Sequence, residues 1–150
     1  MTRNMLALCG TLVLFACGSS GGTAGPVTEY KTYSFSQTAD SIPIRYGETV
    51  RVEGVLLTFF ALISDTRCAA QAQCVAPGDA EIEIFAAPGC YPQCLAPSQS
   101  FRLHVYQAPR TAVYSGKRLT LTWLLPLPPT PNAKPDPKQY VAWLKVEPVS

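Results

Sequence analysis

Ala80-Glu81-Ile82-Glu83-Ile84 decides the fold class. Apolar and charged side chains alternate there with a period of two, which predicts a strand with one face on a core and the other in water. The pattern continues on both sides. Downstream, Phe101, Leu103 and Val105 alternate with Arg102, His104 and Tyr106. A Ser115-Gly116-Lys117 turn leads into Leu119, Leu121, Trp123 and Leu125 on one side, with Thr120 and Thr122 opposite. Tyr140, Ala142, Leu144 and Val146 share one side of a last strand over 140–147. Upstream, 30–36 is rich in aromatics and threonine, and 42–46 is a short edge segment interrupted by Pro43. Val50 and Val52 alternate with Arg51, Gly54 marks a bulge or bend, and Val55 to Ile63 is nearly all apolar. A run that apolar is expected to be covered on both faces.

These strands are short, lie roughly 8–15 residues apart and show no helical period and no internal repeat. The expectation is an all-β protein: an antiparallel β-sandwich, immunoglobulin-like or similar, of six to eight short strands, with a small open barrel as the variant. With 150 residues there is room for one domain. Fourteen prolines and ten glycines suit strands and turns better than long helices. Six of the prolines fall in 126–138, which reads as a stiff connector before the last strand, or as a polyproline II ligand.

The N-terminus reads as an address. Arg3 supplies a positive start, and Met5 to Ala16 is an apolar stretch of 12 residues. That falls short of the roughly 20 residues a membrane-spanning helix requires and fits an export signal. Leu14-Phe15-Ala16-Cys17 closes it and resembles the bacterial lipobox, in which the cysteine thiol takes a lipid and becomes the first residue. The expected organisation is a signal peptide over 1–16, a lipidated Cys17 with a Gly/Ser-rich tether over 17–29, and one β-domain over 30–150. Gly18 stands where an aspartate would resemble an inner-membrane retention signal, so the outer membrane is the expected destination. Losing Arg3 with the leader leaves 11 basic against 10 acidic residues. A balance so near neutrality argues against a nucleic-acid partner. The expected partners are the membrane, through the lipid, and an envelope protein or glycan.

Cys9 leaves with the leader and Cys17 carries the lipid, so Cys68, Cys74, Cys90 and Cys94 remain. Four cysteines in an exported chain read as two disulfides with three possible pairings. Loop entropy gives small loops roughly 2 kcal/mol each and a long-range pairing nearer 3.5, so it does not select the local pairing. A four-cysteine zinc site is disfavoured by the five-residue spacer between Cys68 and Cys74.

Between Leu57 and Ile84 the chain resembles an uncharacterised family of small bacterial lipoproteins. Their pattern is an apolar strand, Asp-Ser-Arg-Cys-Pro, a few residues, a second cysteine, a Trp-Ala-Gly-like turn and an alternating strand. Here it runs Phe60-Ala61-Leu62-Ile63-Ser64-Asp65-Thr66-Arg67-Cys68, then Cys74-Val75-Ala76-Pro77-Gly78-Asp79-Ala80. Thr66 replaces serine, Ala69 stands where proline is usual and Ala76 where tryptophan is usual. The resemblance implies a Cys68–Cys74 disulfide, which leaves Cys90–Cys94 as a second small loop. It implies fold and location, and brings no established activity.

Chemistry-bearing patterns are sparse. His104 is the only histidine, and no Gly-x-Ser-x-Gly elbow accompanies it. Glu81 and Glu83 lie on one strand face about 7 Å apart, within the range of an inverting glycosidase pair, yet read first as the wet face of an amphipathic strand. Asp65 and Arg67 are candidate recognition residues at the first cysteine loop, and Tyr91 and Gln93 at the second. The competing reading of Asp65 is a turn cap, with Arg67 pairing a neighbouring acid. Trp123 and Trp143 read as core or sheet-face residues, with sugar stacking as the functional alternative. The sequence therefore predicts a non-catalytic, lipid-anchored interaction module with no metal site and no cofactor. A protease inhibitor acting through a disulfide-stiffened loop is the alternative, and a small hydrolase comes third.

Overall fold

The structure, a computed structural model, describes residues 29–34, 36, 41–89, 96–130 and 133–149. Nine strands are described: β1 (Lys31–Tyr33), β2 (Ile42–Arg45), β3 (Thr49–Val52), β4 (Val55–Asp65), β5 (Ala80–Pro88), β6 (Gln99–His104), β7 (Thr111–Tyr114), β8 (Lys117–Leu125) and β9 (Val141–Pro148). They form two open sheets, ordered β1-β3-β4-β5-β6 and β2-β9-β8-β7. The fold is a β-sandwich. Every pairing is antiparallel except that of β1, which runs parallel to β3.

The alternation read from the sequence builds the core. Ala80, Ile82, Ile84 and Ala86 of β5 are fully buried, and Glu81 and Glu83 lie on the other face of the strand. Tyr140 with Ala142, Leu144 and Val146 of β9 meets them from the second sheet. Pro43 sits in β2 at the edge of that sheet, where its missing N–H costs no ladder bond. The Gly54 interruption is a two-residue hairpin turn. Glu53 and Gly54 both have positive φ (46° and 77°), as do Ser115 and Gly116 (48° and 71°) between β7 and β8. Turns of that hand match the right-handed twist of the strands they join.

Three expectations are corrected. The ninth strand, β7, was not foreseen; of its four residues only Tyr114 is buried. The long apolar strand β4 is not covered on both faces: Val55, Leu57 and Phe59 are buried, but Phe60 is 60 % exposed. Irregular register between Phe59 and Ala61, and again between Leu62 and Ser64, breaks the strict alternation. The third correction concerns β8. Leu119 and Leu121 point inward as expected, but the register shifts between Leu121 and Trp123. Leu124 therefore becomes the next buried residue, and Trp123 (61 % exposed) and Leu125 turn outward.

Candidate functional site

Strand β4 ends at Asp65 and β5 begins at Ala80, so the segment between them closes one end of the sandwich. It is stapled by a disulfide between Cys68 and Cys74. Its limbs continue the ladder, with Thr66 N–H donating to the Asp79 carbonyl (2.7 Å) and Cys68 N–H to that of Pro77 (2.9 Å). The Thr66 hydroxyl donates to the same Asp79 carbonyl and accepts from the Asp79 N–H. Cys17, Cys90, Tyr91, Gln93 and Cys94 lie outside the described residues.

Arg67 and Asp65 are brought together, and both side chains are buried. The guanidinium grips the carboxylate with two bonds, Nε to Oδ1 (2.9 Å) and Nη2 to Oδ2 (2.7 Å), while the Arg67 backbone N–H donates to Oδ1. This planar fork is the geometry in which an Arg–carboxylate pair is strongest. Two more guanidinium hydrogens reach the carbonyls of Leu124 and Pro126, where β8 passes into the proline-rich segment. The Tyr140 hydroxyl donates to Asp65 Oδ2 (2.8 Å). Burial pushes the Asp65 carboxyl up, but the bonds from Arg67 and Tyr140 outweigh it and hold it below the usual carboxylate range. Burial and the adjacent carboxylate push the Tyr140 phenol up to about 12, so it stays a neutral donor. Asp65 thus takes the turn-cap role, and neither side chain stands exposed as recognition groups would.

The proline-rich segment is pinned rather than free. The Pro128 carbonyl accepts from Ala70 N–H (3.0 Å), Pro128 is buried, and Pro126 is held by Arg67. Between this segment and β4 lies a recess of about 390 Å³ lined by Leu62, Asp65, Lys134, Asp136 and Tyr140, among others. A more apolar groove of about 650 Å³ runs between the tip of the cysteine loop (Ala70, Gln71) and Leu125, Leu127 and Pro129.

A second polar cluster holds the end of β6. His104 Nδ1 is 2.6 Å from Asp79 Oδ2, and Tyr106 N–H donates to Oδ1 (2.9 Å). Burial raises the Asp79 carboxyl, and the donors Tyr106, His104 and Ala80 more than reverse it, leaving it lowered. A carboxylate behind a histidine is half of a nucleophile-activating arrangement. The register places Ser64 opposite Glu81 and Glu81 opposite His104. Ser64 is therefore two strands from His104, about 10 Å by strand spacing and beyond hydrogen-bond reach. The pair fastens the end of β6 to Asp79 on the returning limb of the cysteine loop. Glu81 and Glu83 lie on the outer face of their sheet, Glu81 within 3.4 Å of Arg102.

On the outer face of the other sheet, Pro43, Trp143 and Trp123 stand in one register row, with Val141 and Leu125 in the next. Both tryptophans are sheet-face residues. Among the described residues, every buried side-chain nitrogen and oxygen has a partner, and no group of three His, Cys, Asp or Glu is placed to hold a metal. Asp79 and Tyr140 escaped the sequence reading. Asp79 carries no signature because its partners, His104 and the Tyr106 N–H, lie 25 and 27 residues away, while Tyr140 reads as core from its place in the alternation of the last strand and its hydroxyl role has no local signature. Compared with known protein families, curated proteins and solved structures, the chain matches none.

Proposed function

We propose that the chain is a lipid-anchored, non-catalytic lipoprotein of the cell envelope, favouring the outer membrane, whose sandwich engages another envelope component. The observation that carries the reading is the order Arg3, apolar 5–16, Leu14-Phe15-Ala16-Cys17 and then a Gly/Ser-rich stretch. The Cys68–Cys74 disulfide supports an oxidising compartment. The polar clusters support a binding role over a chemical one, because Asp65, Arg67, Asp79 and His104 are engaged in bonds that hold loops in place. A lipid with two or three acyl chains gives stable anchoring where one chain does not.

The test is Cys17→Ser expressed beside the native chain in a bacterium with an outer membrane. The native protein is expected in the outer-membrane fraction, with a mass raised by the lipid. The variant is expected to lose both the added mass and the outer-membrane fractionation. Unchanged maturation and fractionation would overturn the reading. The interaction role is tested by crosslinking intact envelopes, where native protein should give discrete adducts that the Cys17→Ser variant loses.

A further inference from the structure

The outer face of the β2-β9-β8-β7 sheet has two unlike halves. In one, Pro43, Trp143 and Trp123 form a row across three strands, and Val141 and Leu125 lie in the next. These are the chain's two tryptophans. In the other half the rows are polar, Thr120 with Lys145 and Arg118 with Glu147, and Val113 of β7 stands opposite Arg118. Large apolar side chains are also exposed elsewhere on the molecule, at Phe60, Ile63, Val75, Tyr106, Leu127 and Val149, so exposure alone marks no surface. What sets this face apart is how Trp123 comes to lie on it. Leu119 and Leu121 point inward, and unbroken alternation would take Trp123 and Leu125 inward too. The irregularity between Leu121 and Trp123 turns both outward, and the Thr122 hydroxyl fastens it by donating to the Trp143 carbonyl (2.9 Å). A bulge that re-aims a side chain is a built feature of a sheet. It sets Trp123 level with Trp143, and among the described residues neither indole is paired with another ring.

The charge of the face says what chemistry fits it. The strands of this sheet carry four Lys or Arg and one Glu, whereas those of the other sheet carry three Lys or Arg and three Asp or Glu. Arg45, Arg118 and Lys145 alternate with buried residues and so stand on the outer face. Lys145 follows Trp143 by two residues on the same face, and Arg45 pairs with Val141 in the row on the other side. A cation therefore flanks the tryptophan row on each side. Glu147, the one carboxylate of these strands, bonds Lys145 (2.7 Å). Among the described residues, Arg45 and Arg118 have no carboxylate within ion-pair distance. Indole faces take flat C–H surfaces, and Arg and Lys take carboxylates. A chain of sugar rings bearing carboxylates offers both at once.

We infer that this face binds an acidic polysaccharide, with sugar rings stacked on Trp143 and Trp123, Pro43 extending the row, and the carboxylates met by Arg45 and Lys145. Neighbouring strands lie about 4.8 Å apart, so the row offers successive ring surfaces along a line that an extended polymer can follow. An acidic peptide would satisfy the cations and leave the indoles bare. The inference names the envelope component that the lipoprotein reading leaves open, and rests on that reading for the compartment in which the polymer is met.

The experiment titrates the full chain, purified in detergent, with polygalacturonate, alginate and hyaluronate, and follows tryptophan emission, which comes from this face alone. Dextran supplies sugar rings without charge, and polyglutamate supplies charge without rings. At least one of the three uronate polymers is expected to bind saturably and shift the emission, with dextran and polyglutamate far weaker. Trp123→Ala should weaken binding about tenfold or more, as truncating an aromatic anchor does, and Trp123→Phe should recover part of the loss. Trp123 is mostly exposed, so its removal leaves the core intact. Arg45→Gln should weaken binding and make it less sensitive to salt. Glu83→Gln, on the other sheet, should bind as the native chain does. No saturable binding to any of the three polymers overturns the inference, and so does native affinity in Trp123→Ala. Equal binding of polyglutamate overturns it in favour of an acidic protein partner. A dimer in sedimentation that Trp123→Ala dissolves, with no polymer bound, overturns it in favour of a second copy of this chain. The mass and fractionation of Cys17→Ser read the anchor separately, so either reading can fail while the other stands.

Discussion

At Arg67 a charged side chain has been taken almost wholly out of water, and every bond it makes fastens something to something else. Two go to Asp65, and others to the carbonyls of Leu124 and Pro126. The pair therefore joins the end of β4 to the end of β8 across the two sheets. Removing one member of such a pair leaves the other buried and uncompensated, which typically costs about 3–5 kcal/mol. Arg67→Met should lower the unfolding free energy by about that much in urea titration. Asp65→Asn added to it should recover part of the loss, because no bare charge remains. A loss below about 1 kcal/mol for Arg67→Met would mean that water reaches the pair. The Asp-x-Arg spacing was legible in the sequence as a turn with an ion pair. The two carbonyls were not, because they lie 57 and 59 residues away and backbone acceptors carry no sequence signature.

Strand β4 shows how one irregularity redistributes a strand's side chains. In a regular strand the residues at 55, 57, 59, 61 and 63 would all face inward. The shift after Phe59 instead leaves Leu62 partly packed on the core and Ile63 39 % exposed. Two adjacent phenylalanines thus acquire opposite roles. Phe59 is fully buried and meets Tyr46 edge-on at 5.4 Å, while Phe60 lies mostly in solvent. Phe59→Ala should cost about 3–5 kcal/mol in chemical denaturation, and Phe60→Ala should stay within about 0.5 kcal/mol. Similar losses for both would show that the outer face of β4 is covered after all. Strands β5 and β9 were legible because their alternation is unbroken from end to end. In β8 and β4 the composition announced a strand but not the position of the extra residue, which depends on cross-strand pairing. The hairpin strand β7 was missed for a different reason: four residues with one buried side chain give no periodic signal, and its pairing with β8 supplies the order.

Taken as a whole, the molecule has a polar seam at the end where its loops meet, built on two carboxylates. Asp65 and Asp79 are both held below the ordinary carboxylate range. A carboxyl whose folded pKa is depressed binds fewer protons folded than unfolded, so stability rises with pH across the interval between the two values. The contribution is fully present above the unfolded carboxylate pKa of roughly 4 and is lost as pH falls through the folded values. The urea midpoint should therefore be flat from neutrality to about pH 5 as far as these two groups are concerned, then fall steeply toward pH 2. Asp79→Asn should lower stability at pH 7 and flatten the acid limb, because the variant has one fewer proton to take up on unfolding. Asp136→Asn is the comparison, since it removes the same single carboxylate from an exposed position whose side chain bonds the Lys138 N–H. If Asp79→Asn and Asp136→Asn gave superimposable pH profiles, the acid sensitivity would belong to the overall charge of the protein and not to the bonds that close this end of the sandwich.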